Sequence, residues 1–410
     1  VNNAPSALHV LTLTPFFPSA ENEVSGCFVA ESLDQLKTLG VDSTVIAVSP
    51  MHYARKNPSP SAAAEWVRYP QLPGNLGLSS AGKLLYARLA AKLRNLHKEK
   101  PIDVIHAHTA LPCGHAAALL SKDLNVPFVV SLHGLDVFNT CFLDGIPARW
   151  RRKVSIDVYR AAQTVICISG RVQEVLRAGA STTGACAETR STVVYNGVNP
   201  NLFSPASSEE GPSEEDATEN EGEGGAEILM VGNLLRGKGH ELVLRAMAKL
   251  RSSFPEICCT IIGEGPDQAQ YEALARELNI SDRVEFRGRQ SRAGVAEAVR
   301  RCSVFALPSR YEGLGCVYLE AMSCAKPVIA CHGQGIDEVI ENGKNGVLIP
   351  IDGLEELVQG LTTLLGSAGV RARIGEEARR TIVGKFTLAH QAEQLAAVYG
   401  HARQAREAIS

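Results

Sequence analysis

No apolar run in this sequence reaches the roughly 18–20 residues that a bilayer-spanning helix needs, so no membrane span is expected. The first residues, Val1-Asn-Asn-Ala-Pro-Ser6, show neither a charged n-region nor an apolar h-region, and no secretory signal is expected there. Aromatic residues make up only 5% of the chain and its net charge is −3, which argues against a nucleic-acid-binding surface. The 11 cysteines are odd in number and scattered, and none forms a C-x-x-C, so neither a disulfide framework nor a zinc ribbon is expected. Most lie in apolar segments (Cys167, Cys258, Cys302, Cys331), as buried thiols do in a reducing cytoplasm. No G-x-G-x-x-G occurs, and no acidic residue about 20 positions beyond the first glycine turn marks a dinucleotide site, so a dehydrogenase is a poor reading. No cluster with metal-ligand spacing is present, and no metal or other cofactor is expected.

What remains is an ordinary globular composition, 45% apolar and 21% charged, over a length that calls for two or three domains. Charge divides the chain. Residues 1–195 hold 19 Lys and Arg against 14 Asp and Glu, whereas the remainder holds 22 against 30. Nine of those acids lie between Glu209 and Glu227 with no basic residue among them, in a Gly- and Ser-rich stretch that reads as a solvated linker over 206–226.

On either side, short apolar runs alternate with helical patterns. Residues 9–14, 44–48, 103–107, 127–132 and 164–168 read as buried strands, and segments such as 28–39 and 81–98 carry apolar spacings of three and four. The pattern restarts after the linker with strands at 227–231, 259–262, 284–286, 303–307, 327–330 and 346–349. Two α/β domains with parallel sheets are therefore expected, over 1–205 and 227–385, with a ligand crevice where strand C-terminal ends face each other. A last helical segment within 386–410 is expected to fold back onto the first domain.

The segment with most chemical content is Glu312-Gly-Leu-Gly-Cys-Val-Tyr-Leu-Glu320, followed by Ala-Met-Ser-Cys-Ala-Lys-Pro. Two carboxylates flank a glycine-rich bend leading into an apolar, helix-compatible run. Such a junction offers backbone N–H groups and the positive end of a helix dipole to an anion. A carboxylate on the first turns of the helix accepts hydrogen bonds from hydroxyls. A phosphate with polyols at both ends, such as a nucleotide-sugar, fits.

Together with Ser131-Leu-His-Gly-Leu-Asp136, Tyr195-Asn-Gly-Val198, Val231-Gly-Asn-Leu-Leu-Arg-Gly-Lys-Gly239, Gly263-Glu-Gly-Pro266 and Gly335-Ile-Asp-Glu-Val-Ile340, this block makes the chain resemble a retaining glycosyltransferase of family 4. The resemblance runs over nearly the whole length and implies the GT-B architecture, two facing Rossmann-like domains with an interdomain cleft. It implies that Glu320 grips ribose hydroxyls, that Glu312 faces the transferred sugar, and that His133 contacts the donor. Gly313 and Gly315 allow close backbone approach, and Leu314, Gly315 and Cys316 are the candidate backbone donors to the distal phosphate. Lys238 supplies a cation where a leaving diphosphate develops charge. The family usually carries an Arg five residues earlier. Here that position is Asn233, and Arg236 is near enough in sequence to stand in. Gly26, in Ser25-Gly26 where relatives often have two glycines, resembles exopolysaccharide and teichuronic-acid-type transferases and approaches phosphate or acceptor. Asp136 is a candidate for acceptor contact. Asn196 reads either as a ligand contact or as part of a plain turn.

Two basic stretches remain in the first half. Lys83, Arg88, Lys92, Arg94 and Lys98 surround an apolar stripe of Leu85, Leu89, Leu93 and Leu96, and Trp150 adjoins Arg149, Arg151, Arg152 and Lys153. Both read either as faces resting on anionic lipid or as solvated helices with the stripe in the core. The activity implied is metal-independent transfer of a hexosyl group from a nucleotide diphosphate sugar, UDP-linked before GDP-mannose, to a glycan or lipid-linked acceptor in cell-surface polysaccharide synthesis. The expected location is the cytoplasm or the inner face of its membrane. A nucleotide-sugar epimerase of the same fold and a catalytically silent sugar-nucleotide binder remain open alternatives.

Overall fold

The structure is a computed structural model that describes residues 8–53, 57, 63–72, 77–134, 136–137, 146–181, 189–206 and 226–408. Of the acidic linker only its two end residues are described. The chain divides into two compact units, one of residues 1–196 with 388–410, the other of residues 197–387.

The first unit contains β1 (Leu8–Thr14), α1 (Cys27–Thr38), β2 (Val41–Pro50), β3 (Glu65–Tyr69), α2 (Leu78–Glu99), β4 (Val104–His108), α3 (His115–Leu124) and β5 (Phe128–Leu132). It continues with α4 (Ile146–Ala161), β6 (Thr164–Cys167), α5 (Gly170–Ser181) and β7 (Ser191–Val193). Among the described residues its seven strands are all parallel, in the order β3-β2-β1-β4-β5-β6-β7. The central strands are covered on both faces, so β4 and β5 are buried along their whole length. That is why they read as unbroken apolar runs and not as alternations.

The second unit contains β8 (Glu227–Val231), α6 (His240–Leu250), β9 (Cys258–Ile262), α7 (Gln268–Glu277), β10 (Val284–Gly288), α8 (Arg292–Arg301) and β11 (Val304–Ala306). After these come α9 (Cys316–Ser323), β12 (Val328–Cys331), β13 (Val347–Ile349), α10 (Leu354–Leu365) and α11 (Ala368–Lys385). Among the described residues six parallel strands run in the order β10-β9-β8-β11-β12-β13. In both sheets the order reverses direction once, between β1 and β4 and between β8 and β11. Right-handed crossovers then leave the sheet toward opposite faces, and a crevice opens beyond the strand C-terminal ends at that point.

The last helix, α12 (Leu388–Glu407), belongs to the first unit. Its Ala392, Leu395, Tyr399 and Ala402 join Val10, Val104, Val129 and Ile166 in one core cluster. The spacing of three and four along those residues is the apolar stripe of an amphipathic helix.

The domain boundary departs from the sequence reading. Residues 197–205, counted there with the first domain, group with the second unit. Phe203 is fully buried, its carbonyl accepts a hydrogen bond from Ser323 Oγ at 2.6 Å, and the Leu202 carbonyl accepts one from Arg300 at 3.1 Å. Val198 bonds the Phe386 carbonyl at 2.9 Å. The strands β3 and β7, short and mostly half-buried, also lie outside the sequence-derived set.

In α2 the apolar stripe faces the core. Leu85, Leu89 and Leu93 are buried in the core, Lys92 pairs with Glu65, and Arg94 with Asp123. Trp150, by contrast, is 49% exposed. Among the described residues no helix is long and apolar enough to cross a membrane.

Truncating Phe203 removes a buried ring and leaves a cavity, at a cost of about 3–5 kcal/mol. Phe203→Ala should therefore lower the urea midpoint of the second unit's unfolding transition, followed by circular dichroism, and an unchanged midpoint would contradict this packing.

Candidate active site

Two loops meet at the switch point of the second sheet. One follows β8 and carries residues 232–239; the other follows β11 and carries residues 307–315. Their backbones are fastened together, with Arg310 N donating to the Gly237 carbonyl at 2.7 Å. The first loop is also tied to the turn after β9, through Leu234 N to the Glu264 carbonyl at 3.0 Å and Asp267 N to the Leu234 carbonyl at 3.2 Å. The Gly263-Glu-Gly-Pro266 block thus supports this loop.

Across the junction, Lys238 Nζ and Glu312 Oε2 form an ion pair at 2.7 Å, with side chains 26% and 14% exposed. Glu312 is held by its backbone as well: its N–H donates to Gln334 Oε1 at 2.9 Å, and its carbonyl accepts from Gly335 N at 3.0 Å. Gly335 has no alternative here, because a Cβ would stand 1.8 Å from the Gly313 carbonyl oxygen.

The bend then enters α9 through Gly315, whose φ of 80° is left-handed. A Cβ at Gly315 would meet the Tyr318 ring at 2.5 Å. Tyr318 is fully buried and its hydroxyl donates to the Leu307 carbonyl, so the first turn of α9 is anchored to the end of β11. Leu314 is buried, and Cys316 opens the helix half-buried. The first-turn N–H groups of α9 point out of its N-terminal end, a geometry that favours an anion.

Glu320 lies one turn further along, 3% exposed, and pairs with Arg292 at the start of α8. The Arg292 guanidinium sits 4.7 Å from the centre of the Phe203 ring. A carboxylate so buried is stable only with a charged or hydrogen-bonding partner, and Arg292 provides one. Neither Arg292 nor Gln334 was singled out from the sequence, although Gln334 immediately precedes the Gly335 block.

Arg236 is not brought to this pair. Its N–H donates to Asp267 Oδ2 at 2.7 Å and its guanidinium to Gln270 Oε1 at 3.2 Å. It lines a cavity of about 500 Å³ with His240, Arg245, Tyr271 and Arg310, and neither Lys238 nor Glu312 lines that space. Asn233 is exposed, and its carbonyl accepts from Leu235 N at 2.8 Å.

The remaining sequence candidates belong to the first unit. His133 follows β5, and its Nε2 lies 2.9 Å from His108 Nδ1. Burial pushes its imidazole down to about 4, so the ring is neutral at physiological pH. Asp136 Oδ1 accepts from the N–H groups of His133 and Val137 at 3.1 and 3.0 Å, and burial pushes this carboxyl up to about 6. Asn196 is buried and its Oδ1 accepts from Gln391 of α12 at 3.4 Å. Gly26 starts α1 with φ 75°, where a Cβ would fall 2.4 Å from the backbone of Phe16 and Phe17. Its smallness serves a close chain crossing.

Two Rossmann-like units, one with an anion-favouring loop-to-helix junction at its switch point, place the chain in the doubly wound class of α/β proteins. The description "Glycosyltransferase Family 4" matches residues 28–202 and "Glycosyl transferases group 1" matches residues 213–381. The chain belongs to this glycosyltransferase family and has its GT-B fold. It is 29% identical to an uncharacterized glycosyltransferase of Methanocaldococcus jannaschii, over 70% of this chain and 72% of that protein. It is 24% identical to the putative teichuronic acid biosynthesis glycosyltransferase TuaC of Bacillus subtilis, over 95% and 97%. Among solved structures, Anabaena HepE in complex with UDP is similar with a TM-score of 0.73 and 20% identity, over 96% of this chain and all of that one.

At the first residue of α6, His240 is fully buried, with neither ring nitrogen bonded among the described residues. Burial pushes it down to about 4, and the nearby Lys238 charge acts in the same direction. An imidazole in the unfolded chain titrates near ~6.5. Between those values only the unfolded chain binds the proton, so stability is lost as pH falls through that window. His240→Leu should therefore gain about 1–2 kcal/mol over wild type on moving from pH ~7.5 to pH ~5. Urea unfolding at both values checks this, and an equal difference at each would refute it.

Proposed function

We propose that this chain transfers a hexosyl group from a nucleotide diphosphate sugar, with a UDP-sugar favoured over GDP-mannose, to a hydroxyl of a glycan or lipid-linked acceptor. The observation that carries the reading is the Lys238–Glu312 pair at the switch point, beside the N-terminal end of α9. A bound diphosphate would share the Lys238 ammonium with Glu312 and lie against the first-turn N–H groups of α9. The buried Glu320, oriented by Arg292, keeps acceptor capacity for ribose hydroxyls. HepE, of the same fold, has been solved with UDP and with UDP-glucose, which supports a uridine nucleotide as the first donor to test. A relative named for teichuronic acid biosynthesis supports an acceptor in surface polysaccharide synthesis.

In the chemistry proposed, the bond between the anomeric carbon and the diphosphate oxygen breaks as the acceptor oxygen adds to the same face, with retention. The acceptor proton passes to the departing diphosphate, and Lys238 with the α9 dipole balances the charge that develops there. No step is assigned to a metal. His133, neutral in its buried setting, holds a hydroxyl of the transferred sugar without adding a second cation. The exposed Trp150 and its flanking Arg149, Arg151, Arg152 and Lys153 are the surface proposed for peripheral contact with an anionic membrane on its cytoplasmic side.

Hydrolysis of UDP-glucose, UDP-N-acetylglucosamine and GDP-mannose, followed by nucleotide release, tests the donor reading. Lys238→Ala should lower the rate on the preferred donor by about 10²-fold, the scale of losing one fixed charge at a developing anion. A variant as active as wild type would overturn the assignment of Lys238.

A further inference from the structure

His133 does not stand alone in the first unit. Half-buried itself, it is the outermost member of a row of polar side chains, the others buried, drawn from three elements. His106 and His108 alternate along β4 and so face the same side of the sheet. His106 is fully engaged: its Nδ1 lies 2.7 Å from the Tyr399 hydroxyl of α12 and its Nε2 lies 2.7 Å from Ser131 Oγ of β5. The His106 and His108 rings have centroids 4.4 Å apart. His108 then meets His133 with ring planes within 13° of each other and the Nδ1-to-Nε2 distance of 2.9 Å noted above. Phe16 approaches His133 edge-on at 5.5 Å and Phe28 lies at 5.1 Å, so the ring is bounded by apolar side chains as well.

We propose that His108 is a positioning residue for His133, fixing its ring rotation and its tautomer, with His106, Ser131 and Tyr399 bracing His108 from behind. A neutral imidazole has one donor nitrogen and one acceptor nitrogen. A hydrogen bond between two of them requires one ring to donate and the other to accept. The state of His108 therefore dictates that of His133 Nε2, and by exclusion that of Nδ1. His133 Nδ1 is buried with no partner among the described residues, so whichever role Nε2 takes toward His108 leaves Nδ1 the opposite one. Burial holds all three rings neutral, which keeps this donor–acceptor order intact. A partner that sets the tautomer of a functional imidazole from its far nitrogen is a recurring device in protein sites.

The proposal rests on His133 contacting the donor sugar, and the experiment separates the two. Wild type, His133→Ala, His108→Phe and His108→Asn are compared on UDP-glucose, UDP-N-acetylglucosamine and GDP-mannose. The protein is also labelled with ¹⁵N-histidine so that two-bond imidazole correlations report each tautomer. His108→Phe keeps a flat ring and loses the hydrogen bond. It should lower kcat about tenfold with KM within about twofold, the scale of losing an outer-shell partner. Asn, whose amide can stand in for Nδ1, should recover most of that loss. The His133 resonances should show one tautomer in wild type and a mixture in His108→Phe. An unchanged His133 tautomer in His108→Phe, or His108→Asn no better than Phe, would overturn the proposal. If His133→Ala keeps the wild-type rate, the donor-contact reading fails instead, while the tautomer measurement still decides whether His108 positions the ring.

Discussion

The contact on which the second unit's site depends is the ion pair between Lys238 and Glu312, at 2.7 Å. It joins two loops that leave neighbouring strands, β8 and β11, just where the sheet order reverses. A half-buried pair of this kind adds little net stability, because desolvation offsets most of the attraction. Its worth lies in orientation. The ammonium is held beside a helix N-terminus, and the carboxylate is fixed by Gln334 and Gly335 on its backbone side. Both loops are built to keep that relation, through the Arg310-to-Gly237 hydrogen bond and the turn after β9.

A second chain of contacts runs from the segment before the acidic linker into the same unit. Phe203 is buried beneath Arg292, and Arg292 neutralises Glu320. The residues that lead out of the first unit therefore contribute to the electrostatics of the second. This explains why the structural boundary falls at residue 196 rather than after residue 205. It also places Phe203 against the guanidinium that pairs with the buried Glu320 carboxylate.

In the first unit the governing constraint is desolvation. Three imidazoles, a serine and a tyrosine share a space closed by apolar side chains, and each ring is most stable without charge. Hydrogen bonds among them are then directional and mutually dependent. Tyr399 completes this row from α12, the last element of the chain, so the C-terminal helix is part of the first unit's core.

Strand and helix types were legible along most of the chain, because fully buried parallel strands are written as local runs such as Val104–His108 and because α12 carries its stripe at helical spacing. The Glu312-to-Glu320 block was legible too, since a glycine bend into an apolar helix has a local signature. Strands β3 and β7 left no such mark: as short, partly exposed edge strands they lack an apolar run. Side-chain partnerships were beyond local reading. Arg292 meets Glu320 across 28 positions, and Arg236, near Lys238 in sequence, is drawn away by Gln270. The sequence alone determined which segments become strands, helices and bends, because periodicity and glycine placement act over a few residues. Only the tertiary structure decided which charges and ring nitrogens meet, because those pairings follow from strand order, which brings together side chains that the chain itself keeps far apart.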